Sequence, residues 1–106
     1  MDVPEIDVTE LARLRSADAP VIDVREPHEY GAAHVPGAVL MPLSTVPDGV
    51  ERLPGDATVY VICAVGGRSR RAAEFFRTRG IDAVNVAGGT HAWVDAGHPV
   101  ATGMEP

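Results

Sequence analysis

One cysteine stands among the 106 residues, at the head of the run Cys63-Ala64-Val65-Gly66-Gly67-Arg68-Ser69. A cysteine attacks as the thiolate, and a free thiol with a pKa of about 8.5 supplies little of that form near neutrality. The residues after Cys63 are of the types that change this. Gly66 and Gly67 permit positive φ, so successive backbone N–H groups can converge into an anion-binding concavity at the positive end of a helix. Arg68, Arg70 and Arg71 place positive charge beside it. Such surroundings favour thiolate over thiol and suit a covalent nucleophile working on an anionic substrate. The competing reading is a small buried hydrophobe at a strand end, with the glycine pair as a plain turn.

The segments on either side must hold this run in place. Thr58-Val59-Tyr60-Val61-Ile62 is nearly continuously apolar, as expected of a central strand buried on both faces of a parallel sheet. Ser69 is expected to open a helix whose stripe is Ala72, Ala73, Phe75 and Phe76, with Gly80 as its stop. The cysteine then lies at the carboxyl end of a strand, where open α/β sheets bind ligands. Upstream, Ile6 to Val8 reads as a short strand, with Thr9 capping a helix that carries Leu11, Ala12 and Leu14. Val21 to Val24 reads as a strand, Pro27 to Ala32 as one or two helical turns, and Ala38 to Met41 as a strand. Pro47, Gly49 and Pro54 leave room for a short helix around Asp48 to Leu53. Val84 to Val86 gives the last strand, and a helix follows from near Gly89 to a stop at Gly97. The tail from Ala101 to Pro106 is expected to be loose. The alternation implies an α/β sandwich with a mainly parallel sheet in one domain spanning 1–106; strand order is not readable from it.

Composition narrows the function classes. With 45% hydrophobic and 23% charged residues the chain has an ordinary globular mix. Fifteen acidic residues against nine basic ones give a formal charge of −6, which argues against nucleic acid and anionic membranes as partners. Every one of the nine cations is arginine. A lone cysteine allows no intrachain disulfide and no cysteine-rich zinc cluster, so a reducing, cytoplasmic setting and no metal are expected. No leader pattern is seen in Met1 to Asp7, and the longest apolar run, Val59 to Val65, is too short to span a bilayer. A monomer is the expectation from size.

The seven-residue run resembles the active-site loop of the rhodanese family: cysteine, two residues, glycine, one residue, arginine, serine. Asp23-Val24-Arg25-Glu26 with Glu29-Tyr30, followed by His34-Val35-Pro36-Gly37-Ala38, is similar to that family's first signature. Gly88-Gly89 with Ala92-Trp93, Ala96-Gly97 and Pro99-Val100 is similar to its last. Ala33 departs from the glycine usual before the histidine. The likeness covers nearly the whole chain and implies a three-layer α/β sandwich, a five-stranded, mainly parallel sheet flanked by helices.

It also implies a chemistry. Cys63 would take the outer sulfur of thiosulfate or another sulfane donor as a persulfide and pass it to a thiol, cyanide or a protein acceptor, with no cofactor. The backbone N–H groups from Ala64 through Val65, Gly66, Gly67 and Arg68 to Ser69 would hold the sulfur, and Arg68 would pair with the donor's anionic oxygens. Ser69 could donate into the loop or cap the helix. Asp23 and Arg25 are read as an ion pair holding the fold near the loop, and Arg70 or Arg71 as facing solvent. His28, His34, His91 and His98 are assigned turn hydrogen bonding or exposure, and Trp93 a place in the core. The rivals are a phosphatase or arsenate reductase, a regulatory binding module and a persulfide carrier between proteins. The phosphatase-like loop has one residue more than the four between Cys63 and Arg68, and position 69 is serine.

Overall fold

The structure, a computed structural model, describes residues 2–15 and 19–106. Met1, with which the reading of the chain's start began, and residues 16–18 lie outside the described residues. Five parallel strands form one sheet: β1 (Glu5–Ile6), β2 (Val21–Asp23), β3 (Val39–Leu40), β4 (Val59–Ile62) and β5 (Ala83–Val86), in the order β1-β5-β4-β2-β3. The helices between and after them are α1 (Val8–Arg15), α2 (Pro27–Ala32), α3 (Val46–Gly49), α4 (Gly67–Thr78) and α5 (Gly89–Asp95).

β4 occupies the middle, paired with β2 through Asp23↔Ile62 and with β5 through Val61↔Asn85. Its side chains alternate between two cores, as the period of a strand requires. Val59, Val61 and Cys63 pack on one face with Val46, Ala72, Ala73 and Phe76 from α3 and α4. Ile62 packs on the other with Val8, Leu11, Tyr30 and Trp93 from α1, α2 and α5. The expected three-layer α/β sandwich is thus present, and its layering puts the cysteine on the α4 side of the sheet.

Several local expectations are corrected. Thr9 is inside α1; the Glu10 N–H donates to Asp7 Oδ1 at 2.9 Å, so Asp7 is the cap. α4 begins at Gly67 rather than Ser69, because Gly66 at φ +115° makes the turn and serves as N-cap. Gly67 consequently lies in the helix, and of the expected glycine pair only Gly66 has positive φ. The proline-containing stretch keeps more helix than expected, with 3-10 turns at Leu43–Thr45 and Val50–Arg52 around α3, since Pro47 sits in the first turn where no N–H bond is lost. The start of the tail is pinned rather than loose: Ala101 and His34 exchange N–H···O bonds of 2.9 Å, and the Gly103 N–H reaches the Gly31 carbonyl at 2.8 Å.

Candidate active site

The carboxyl ends of β2 and β4 lie side by side, tied by the Val24 N–H donating to the Ile62 carbonyl at 3.0 Å. Cys63 follows directly and is 1% exposed. The chain must then reverse into α4 within three residues, which the left-handed turn at Gly66 accomplishes. A second glycine closes the loop from behind. A Cβ at Gly89 would stand 2.5 Å from both the Cys63 and the Ala64 carbonyl oxygens, and without it the start of α5 comes close enough for the Thr90 and His91 N–H groups to donate to those carbonyls at 2.8 and 3.0 Å. Gly89 of the last signature therefore serves the cysteine loop.

The Sγ of Cys63 lies 3.1 Å from the Gly66 N–H and 3.2 Å from the Ser69 hydroxyl. Burial pushes the thiol pKa up, but the Ser69 hydroxyl and the N–H groups of Ser69, Gly66 and Val65 outweigh it and hold the thiol below its ordinary value. The cradle expected from Ala64 to Ser69 is thus supplied by Val65, Gly66 and Ser69. Ala64 offers its carbonyl to α5, Gly67 begins α4, and Ser69 sits buried under the sulfur instead of capping the helix.

Arg68 differs from its expected posture. Its guanidinium binds Glu29 of α2 through two parallel bonds of 2.8 and 2.9 Å, with the side chains 36% and 25% exposed. The guanidinium, aided by the Glu26 N–H and opposed by burial, holds the Glu29 carboxyl at about 2. Nearby, Arg25 and Asp23 form the expected ion pair, through bonds of 2.9 to 3.2 Å, and Arg25 Nη2 also donates to the Ala33 carbonyl at 2.7 Å. The pair thus braces the end of β2 against the end of α2 and does not touch the sulfur. Arg70 reaches Glu5 at 3.5 Å and Glu74 at 3.8 Å, while Arg71 is exposed. His34 is buried, stacked 3.7 Å from the Tyr30 ring with Nδ1 at 2.8 Å from the Tyr30 carbonyl, and Trp93 is in the core with its indole N–H on the Pro99 carbonyl. Among the described residues no cluster of three or more His, Cys, Asp or Glu side chains could hold a metal ion. No helix there is long and apolar enough to cross a membrane.

Two residues at the site escaped the sequence reading. Glu29 counted only as part of a signature, though its place three residues after Glu26 marks a capping box. Asn85, the one amide in buried β5, contacts Ser69; an amide inside an apolar strand was the available signal.

Residues 7–96 match the rhodanese-like domain family. The chain belongs to that family. Its likeness extends to a sulfurtransferase of Allochromatium vinosum, 31% identical over 101 residues that cover 92% of this chain and 94% of that protein. The rhodanese-like fold is shared with a rhodanese-related protein of Thermoplasma volcanium at a TM-score of 0.88 and 33% identity, covering 96% and 99% of the two chains. It is shared also with the thiosulfate sulfurtransferase of Pseudomonas aeruginosa, at a TM-score of 0.86 and 26% identity, over 95% of this chain and 20% of that one. Against three further curated relatives this rhodanese-like chain spans 51%, 27% and 21% of their length.

Proposed function

We propose that this rhodanese-like domain is a sulfurtransferase that carries sulfane sulfur on Cys63. The carrying observation is the buried Cys63 sulfur, held by the Gly66 N–H and the Ser69 hydroxyl at the start of α4 with its pKa lowered. Thiosulfate or a persulfide is the donor. The Cys63 thiolate attacks the donor's outer sulfur; an S–S bond forms to Sγ, the donor's own bond to that sulfur breaks, and sulfite or a thiolate leaves with the electron pair. In the second half a thiolate or cyanide attacks the outer sulfur of the persulfide, and Sγ departs as a thiolate. The same N–H donors raise the fraction of thiolate available for attack and meet the charge that returns to Sγ when the persulfide is consumed. Arg68, half-exposed, exchanges Glu29 for the donor's anionic oxygens. The sulfurtransferase relatives support the reaction class, and the short cysteine-to-arginine spacing favours it over oxyanion hydrolysis.

The test is the intact mass of the protein after thiosulfate treatment and again after cyanide or a thiol. Wild type is expected to gain one sulfur atom and return it to the acceptor, and Cys63→Ser to gain none. Sulfur retained by Cys63→Ser, or never gained by wild type, would refute the assignment.

A further inference from the structure

Behind the catalytic sulfur runs a chain of polar contacts that crosses three elements. Ser69 Oγ of α4 is 2.6 Å from Asn85 Oδ1 of β5 and 3.2 Å from Cys63 Sγ. Asn85 Nδ2 donates to Glu5 Oε2 of β1 at 2.7 Å and to the Gly66 carbonyl at 3.3 Å. Glu5 in turn lies 3.5 Å from Arg70 Nη1. Asn85 is 1% exposed and Ser69 is fully buried.

Counting protons along this chain decides its direction. Both hydrogens of the Asn85 amide face acceptors, a carboxylate and a carbonyl, so the amide cannot flip without setting oxygen against oxygen. Its Oδ1 therefore faces Ser69 and can only accept. The Ser69 hydroxyl owns one proton, and the 2.6 Å contact with an oxygen that can only accept requires it, whereas a thiol can meet Oγ with its own S–H. What Ser69 then offers Cys63 is a lone pair. That arrangement suits a thiol, whose S–H can donate to Oγ; the Ser69 donation that lowers the thiol pKa is made only once the sulfur is charged. When Sγ loses its proton to solvent, the hydroxyl must rotate to donate to sulfur, and the buried Asn85 oxygen is left without a donor, a costly state.

We propose that Asn85 is a positioning residue that governs the Ser69 proton, holding it away from Cys63 in the thiol state and releasing it when charge builds on Sγ. The loop N–H groups favour thiolate at all times; Asn85 sets a counterweight that makes the Ser69 contribution conditional. The catalytic meaning rests on the sulfurtransferase reading, because Sγ is charged before attack and again on release of sulfur. The proton arrangement itself does not depend on that reading.

The experiment is a double-mutant cycle on the thiol titration, followed by the rate of alkylation against pH and by thiolate absorbance, with no sulfur donor present. Asn85→Leu, of similar size and without an acceptor, and Asn85→Ala are each made alone and with Ser69→Ala. Either Asn85 substitution is expected to lower the Cys63 midpoint by about one pH unit more when Ser69 is present than in the Ser69→Ala background. Loosening of the loop through the lost Gly66 contact affects both backgrounds and drops out of the difference. Equal shifts in the two backgrounds, or a shift of opposite sign, overturn the proposal. In wild type the Asn85 side-chain carbonyl carbon resonance is expected to move through the pH range in which Cys63 titrates and to stay still in Cys63→Ser; a resonance that stays still in wild type overturns it as well. Because no sulfur is transferred, a domain that failed the persulfide test could still pass this one, and the reverse.

Discussion

Two arginine–carboxylate pairs stand on the side of the sheet where the strands end, and they differ in what surrounds them. Arg25 and Asp23 are two residues apart and sealed, with side chains 6% and 0% exposed. Arg68 and Glu29 are 39 residues apart and partly open, at 36% and 25%. A sealed pair cannot part without stranding a charge in the core, whereas an open pair parts at little cost because water replaces the lost partner. Geometry alone would call both bidentate bridges of similar length. Burial separates the brace from the arginine that is free to change partners.

The comparison breaks first on stability. Arg25→Ala is expected to cost about 3 to 5 kcal/mol in urea unfolding, and Arg68→Ala about 1 kcal/mol or less. Similar losses in the two would dissolve the distinction. Activity should sort them the other way. Folded Arg68→Ala is expected to lose about 1.5 to 3 kcal/mol of transition-state stabilisation toward thiosulfate, or roughly tenfold to 150-fold in kcat/KM, through lost contact with the anion. Unchanged kinetics would remove that arginine from the site. The smallest effect is acid-dependent. Glu29 is held at about 2, below its ordinary 4.5, so its pair contributes fully above the unfolded value and is lost as pH falls through the folded one. The stability gap between wild type and Glu29→Gln, about 1 kcal/mol at neutrality for so exposed a pair, should close between about pH 5 and pH 2. A gap that persists at the acid end would assign the loss to packing instead.

The same contrast marks what could be read from the chain beforehand. The Asp23–Arg25 pair is local, and the strand, loop and helix around Cys63 follow one another without interruption, so pattern and spacing reach them. The Glu29 partner of Arg68 depends on how α2 packs beside the loop, which no local pattern carries. Ser69 has the composition of a cap, but the cap position is taken by Gly66, whose positive φ starts the helix earlier and turns the serine inward beneath the sulfur. Asn85 meets the site only because β5 lies next to β4, and strand order was not legible. Tertiary neighbours decide these roles after the local elements are set.

The pairing of β1 with β5 carries a consequence for how this protein is made. Glu5 and Asn85 are 80 residues apart, and they meet directly behind the cysteine loop. On a ribosome the loop emerges well before β5 does, and during that interval neither Asn85 nor the grip of α5 on the Cys63 carbonyl exists. Until then the Cys63 carbonyl lacks the Thr90 N–H and the Ser69 hydroxyl lacks its Asn85 partner. Closing the sheet with β1 against β5 completes the surroundings of the thiol, so the environment of Cys63 depends on residues from both ends of the fold.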